Sequence, residues 1–203
     1  RAISYRQVQG FEHDQVALSV GVQQMVRADT GGSGVMFSID TESGFPDAVL
    51  INAAWGLGEN VVQGAVDPDE YQVFKPFLNN QNLTPILEKR LGAKEIKMIH
   101  DRDGTPRNVP TSKAERQSFV LSDAEILSLA RQAVTIEDHY GQPMDMEWAR
   151  DGVTGTLYIV QARPETVQSR ADHGTLKSYT VKAPGRVLVN GLSVGSAAVT
   201  GRV

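Results

Sequence analysis

No cysteine occurs among the 203 residues of the chain, which excludes a disulfide framework, a thiolate zinc site and a cysteine nucleophile within it. No apolar run approaches the roughly 20 residues that a bilayer-spanning helix needs, and the first residues lack the basic-then-apolar order of a secretory signal, so no membrane partner is expected. Positive charge is scarce: 20 Lys and Arg stand against 24 Asp and Glu, for a net charge of -4. That balance argues against a nucleic-acid partner, because neutralising a phosphate backbone takes a basic face. A small anionic ligand is still compatible, since a few arginines and a magnesium ion can hold phosphates inside an acidic protein. Charges are dispersed and 40% of the residues are hydrophobic, as in an ordinary globular chain with one ample core, or one domain and part of a second. The chain begins at Arg1 without an initiator methionine and stops at Gly201-Arg202-Val203, inside what reads as a turn and a new strand. The expectation is therefore an internal piece of a longer protein. Without cysteine to mark a redox compartment, cytoplasmic location is the default expectation.

Periodicity sets out the elements. Val16 to Val26 is rich in β-branched and apolar residues and partly alternates from Val20, which predicts a first strand. Asp29-Thr30-Gly31-Gly32 is turn chemistry, and Ser33 to Asp40 reads as a second strand joined to the first in a hairpin or meander. Ala48 to Trp55 is a third strand. The stretch from Gly56 to Gly64 is too rich in glycine for a regular helix and reads as a loop. Asp67-Pro68-Asp69-Glu70 reads as a turn before a strand from Tyr71 to Lys75, and Asn79 to Ser118 carries no clear pattern. Ser122-Asp123-Ala124-Glu125 matches a capping box, followed by a helical stripe through Ile126, Leu129, Ala130 and Ala133 that ends near Tyr140-Gly141. Pro143 to Ala149 and Thr156 to Arg163 make a hairpin, and Pro164 to Thr180 reads as a polar linker. The predicted class is α+β, with domain boundaries at 1–165, a linker over 166–180 and a second domain starting at 181–203.

The hairpin carries the sharpest chemistry. In Met144-Asp145-Met146-Glu147-Trp148 alternation puts Asp145 and Glu147 on one face, and in the partner strand Ile159, Gln161 and Arg163 share a face while Tyr158, Val160 and Ala162 share the other. If the connecting loop closes around Val153 to Gly155, Glu147 comes opposite Gln161. A carboxylate and an amide oxygen form a hard-oxygen set suited to Mg2+, which takes its remaining ligands from water and phosphate, and Arg163 adds a planar fork for a phosphate. By spacing alone, the favoured reading is the plainer one, a solvated surface hairpin whose arginine pairs with a carboxylate. Gly31-Gly32-Ser33-Gly34 lacks the lysine of a Walker loop, and Gly56-Leu57-Gly58-Glu59 lacks the full dinucleotide fingerprint. His13, His100, His139 and His173 read as surface histidines without a carboxylate relay.

The wording of several segments is more specific than their spacing. Ser33-Gly34-Val35-Met36-Phe37-Ser38, Ala54-Trp55-Gly56-Leu57-Gly58-Glu59, Gln63 to Glu70, Pro143 to Trp148 and Leu157 to Thr166 together resemble the phosphoenolpyruvate synthase family over nearly the whole chain. The resemblance implies the carboxyl-terminal half of an ATP-grasp domain, with a mainly antiparallel sheet and one long helix, followed by the start of a swivelling phosphohistidine domain. It implies ATP and pyruvate as small-molecule substrates, Mg2+ as cofactor, and a homodimer. Glu147 and Gln161 match the metal ligands, Asp145 a second acidic group beside them, and Arg163 a phosphate contact. Glu59 and Asn52 match positions near the nucleotide. The neighbouring readings are a pyruvate phosphate dikinase, another phosphotransferase on the same nucleotide domain, or a non-catalytic nucleotide-binding module.

Overall fold

Where one face of a sheet is buried, its strands must keep apolar residues at every second position and stay in register. The computed structural model, which describes residues 2–166 other than 16, 18 and 81, together with 185, 186 and 188, meets that requirement across a mainly antiparallel sheet. Eight strands follow in chain order: β1 (Gly32–Phe37), β2 (Ala48–Trp55), β3 (Asp69–Phe74), β4 (Ile86–Arg90), β5 (Ile96–His100), β6 (Pro106–Pro110), β7 (Met144–Arg150) and β8 (Leu157–Pro164). The helices are α1 (Ala2–Gln9), α2 (Glu59–Val62), α3 (Lys113–Gln117) and α4 (Asp123–Tyr140). Six strands form one sheet in the order β4-β3-β2-β1-β7-β8, and β5 and β6 form a separate pair. The register places Tyr71, Ile51, Met36 and Met146 in one buried row across four strands.

Helix α4 covers that row. Ser122 caps it in a reciprocal box with Glu125, and Gly141 ends it in a left-handed conformation at φ 66°, as the sequence predicts. Its stripe of Ile126, Leu129, Ala130 and Ala133 joins Met36, Ile51, Tyr71, Met146 and Trp148 in a single core. Central strand β1 lies between β2 and β7 at close quarters: a Cβ on Gly34 would fall 1.8 Å from the Asn52 carbonyl oxygen, so glycine is the residue that lets these strands meet.

Several local expectations are overturned. Residues 17 and 19–27 have no regular structure and are almost all exposed, while Val16 and Leu18 lie outside the described residues. An alternating run becomes a strand only with a pairing edge, and both edges of β1 are taken by β2 and β7. The expected hairpin onto Ser33 is therefore absent, and β1 ends at Phe37. Within the glycine-rich segment, Glu59–Val62 makes one helical turn. Asp69 and Glu70 belong to β3 and not to a turn, and the stretch from 79 to 118 contains β4, β5, β6 and α3. Of the expected linker, Pro164 instead ends β8 and Glu165 is buried; the rest of it and the following strand pattern fall, except for 166, 185, 186 and 188, outside the described residues.

Asp69 moves into the strand because its side chain is claimed by four partners. It is fully buried against the Lys94 ammonium, which is also fully buried. The Gly92 amide donates to one Asp69 oxygen at 2.9 Å, and the Val120 amide and Tyr71 hydroxyl donate to the other at 2.8 and 3.1 Å. Burial, then the nearby Asp69 charge, pushes the Tyr71 phenol far up from its ordinary value, so it remains a donor. Lys94 also donates to the Gly92 carbonyl and holds a positive φ of 41°. No described helix is long and apolar enough to cross a membrane.

Two outcomes are expected. Lys94→Met leaves the Asp69 charge buried without its counter-ion and lowers stability by about 3–5 kcal/mol, read from urea denaturation. For Glu125, burial alone raises its carboxyl, but the Ser122 amide and hydroxyl and the Arg150 guanidinium outweigh it and hold the carboxyl below its ordinary 4.5. Its contribution to stability is present above that ordinary value and is lost as pH falls through the lower, folded one. Glu125→Gln is therefore less stable than the native chain at neutral pH, and the gap closes on acidification from about pH 6 to about pH 3.

Candidate functional site

Strands β7 and β8 stand at one end of the sheet and present their polar residues on the face opposite α4. Glu147 lies directly opposite Gln161, and Asp145 directly opposite Arg163, the register expected from the loop length. The register shifts between Glu147 and Trp148, so that Trp148 faces Ile159. One extra residue in a strand reverses the side to which everything beyond it points. Ile159 consequently packs on the core with Leu157, away from Gln161 and Arg163, whereas Val160 lines the open cleft. The expected sharing of one face by Ile159, Gln161 and Arg163 is corrected on this point.

That cleft, of about 490 Å³, runs between the irregular segment Gln23-Gln24-Met25-Val26 and the sheet face. Ser33, Gly34, Glu147, Ala149 and Val160 form its sheet side, and Leu57, Gly58, Glu59, Val62 and Gln63 close the far side. Glu59 and Glu147, 88 residues apart in sequence, therefore line one cavity. Glu59 is exposed and accepts from Gln63 Nε2 at 2.8 Å. The segment Gln23 to Val26 was not expected at the site. Its only sequence signal was the interruption of an apolar run by two glutamines.

Arg163 and Asp145 are joined across the hairpin, with Nε and Nη2 each 2.8 Å from Asp145 Oδ2. By contrast, the side chains of Glu147 and Gln161 take no hydrogen bond or ion pair among the described residues. Asn52 is not on the cleft wall. The pairs Ser33 with Ala54 and Met36 with Ile51 place it opposite Val35, in the same cross-strand row as Glu147 and next to Glu70. Its Oδ1 is buried without a hydrogen-bond partner among the described residues, an arrangement that costs free energy unless a ligand or water completes it. Burial raises the Glu70 carboxyl, and Arg90 partly opposes this.

Among the described residues no group of three or more His, Asp or Glu side chains converges as a preformed metal cage. The uncommitted Glu147 carboxylate beside the Gln161 amide suits a hard cation that draws further ligands from water or phosphate, the habit of Mg2+. At the end of the cleft Arg27 grips Asp29 at 2.9 and 3.0 Å and holds its carboxyl below the usual range. His100 Nδ1 lies 3.9 Å from the same carboxylate, beyond hydrogen-bond distance, and His100 is partly buried rather than fully on the surface. His13 and His139 are exposed, and His173 lies outside the described residues.

Over its full length the chain is 58% identical to the phosphoenolpyruvate synthase of Synechocystis sp., covering 26% of that relative. It is 55% identical to the phosphoenolpyruvate synthase of Pseudomonas aeruginosa, with 96% of this chain and 25% of the relative aligned. The Escherichia coli phosphoenolpyruvate synthase is 52% identical over 96% of this chain and 25% of its own length. The chain thus spans about a quarter of the length of the relatives it matches. Residues 1–182 match the family model described as pyruvate phosphate dikinase, AMP/ATP-binding domain, and the chain belongs to that family.

Proposed function

We propose that the chain is the nucleotide-binding part of a phosphoenolpyruvate synthase. On this reading residues 1–165 are the carboxyl-terminal half of an ATP-grasp domain, 166–180 a linker, and 181–203 the start of a swivelling phosphohistidine domain. The observation that carries the reading is the placement of Glu147, on the wall of an open cleft, opposite Gln161, both uncommitted among the described residues, with the Asp145–Arg163 pair beside them on the same hairpin. The synthase relatives favour this over the dikinase alternative. The non-catalytic alternative is disfavoured by the presence of all four polar side chains.

The donor set fits Mg2+ bound with ATP. Glu147 would supply a carboxylate oxygen and Gln161 its amide oxygen, with Asp145 as a second acid beside them. The bound ion would neutralise charge that develops on the phosphates during transfer. Arg163 spends Nε and Nη2 on Asp145, and a guanidinium carries five N–H donors in a rigid fork. Its remaining donors can grip a phosphate while Asp145 fixes their direction. The apolar residues Met25, Leu57, Val62 and Val160 would exclude water and cover a flat base. Glu59 is a further contact offered to the nucleotide from the far side of the cleft, while Asn52 would support the site from behind the wall.

The complete protein, on this reading, converts ATP, pyruvate and water to AMP, phosphoenolpyruvate and phosphate through a phosphohistidine. It would act in the cytoplasm as a homodimer. The acceptor histidine and the pyruvate site would belong to other parts of that protein, so the present part alone would not turn over.

Mass spectrometry of the full-length protein after incubation with Mg2+ and ATP tests the reading. The native protein gains an acid-labile phosphoryl group, and Glu147→Gln and Gln161→Ala label slower by about 10²-fold or more. Equal labelling of all three would remove Glu147 and Gln161 as metal ligands, and labelling of none would remove the enzymatic reading.

A further inference from the structure

The glycine-rich segment 56–64 is held by an element that takes no part in the main sheet. Gly56 bridges to Met98 of β5, and the Leu57 amide donates to the Met98 carbonyl at 2.9 Å. Gly56 has φ 84°, and a Cβ there would fall 2.3 Å from the Met98 carbonyl oxygen. Both the conformation and the approach therefore require glycine. A second tie lies one helical turn further along: Asn60, 3% exposed, donates from Nδ2 to Asn108 Oδ1 of β6 at 2.8 Å.

A two-stranded ribbon is marginal by itself, and among the described residues β5 and β6 pair with no other strand, the bridge from Met98 to Gly56 apart. The hairpin and the glycine-rich segment thus hold each other in place. The segment in turn carries Glu59 into the cleft that contains Glu147. Adjacent residues on a helical turn point about 100° apart, so anchoring Asn60 inward fixes the direction in which Glu59 points outward.

We infer that the β5–β6 hairpin positions the nucleotide-facing loop, with Asn108 as a positioning residue that acts through Asn60 on Glu59. This inference rests on the nucleotide reading of the cleft. Asn108 itself is exposed and is not among the residues lining the cleft, so its substitution probes placement of the loop with little risk to folding.

The test is calorimetric titration of the full-length protein with Mg-ATP, together with steady-state kinetics. Asn108→Ala weakens Mg-ATP binding by about three- to tenfold, the worth of one hydrogen bond, and raises KM for ATP more than it lowers kcat. Asn108→Asp, which keeps an acceptor oxygen for Asn60 Nδ2, restores native binding. In a Glu59→Gln background, Asn108→Ala adds less than about twofold, because the two act in series. Native affinity in Asn108→Ala, failure of Asn108→Asp to rescue, or multiplying effects of the two sites would each overturn the inference while leaving the nucleotide reading intact. If the native protein binds no Mg-ATP, the nucleotide reading falls and the inference with it.

Discussion

The buried pair of Asp69 and Lys94 is the constraint on which much of the molecule depends. Two charges without solvent exposure are tolerable only when every lone pair and proton is matched, and here the carboxylate takes donors from Gly92, Lys94, Val120 and Tyr71. Those partners come from the turn after β4, the approach to β5, the segment leading into α4, and β3 itself. One carboxylate thus fixes where the chain leaves the sheet, where the separate hairpin departs, and where the long helix begins. A hydrophobic residue at position 69 could fill the volume but would leave two buried amides without acceptors.

From that node the division of labour between the faces of the sheet follows. Alternation sends Met36, Ile51, Tyr71, Met146 and Trp148 towards α4, and the same alternation leaves Asn52, Glu147 and Gln161 on the other side in a single cross-strand row. The core and the candidate site are therefore two consequences of one register. The bulge at Glu147 and Trp148 lets β8 serve both: Ile159 returns to the core while Gln161 and Arg163 stay beside the acids.

The hairpin also separates committed from uncommitted polar groups. Asp145 and Arg163 satisfy each other, which orients the guanidinium without using all its donors. Two positions along, Glu147 lines the cleft and Gln161 stands opposite it, with nothing among the described residues to neutralise or bond either. Both are open to solvent, so they can exchange water for a cation and its phosphate ligands, as the proposed function requires.

Much of this was legible in the residues alone, where the controlling interactions are local. The capping box at Ser122, the glycine stop at 141, the strand from Ala48 to Trp55 and the meeting of Glu147 with Gln161 each depend on neighbours within one turn, one strand or one hairpin. The same holds for the family resemblance carried by the wording of those segments. What tertiary structure decided was everything that needed a distant partner. Residues 20–26 partly alternate like a strand, but both edges of β1 are already taken by β2 and β7; Asp69 looks like a turn residue until Lys94 draws it inside; Glu59 shares a cleft with Glu147 only because strands far apart in sequence lie side by side. Periodicity records which face a residue prefers, whereas pairing edges, buried counter-ions and cleft walls arise only when remote segments compete for the same space.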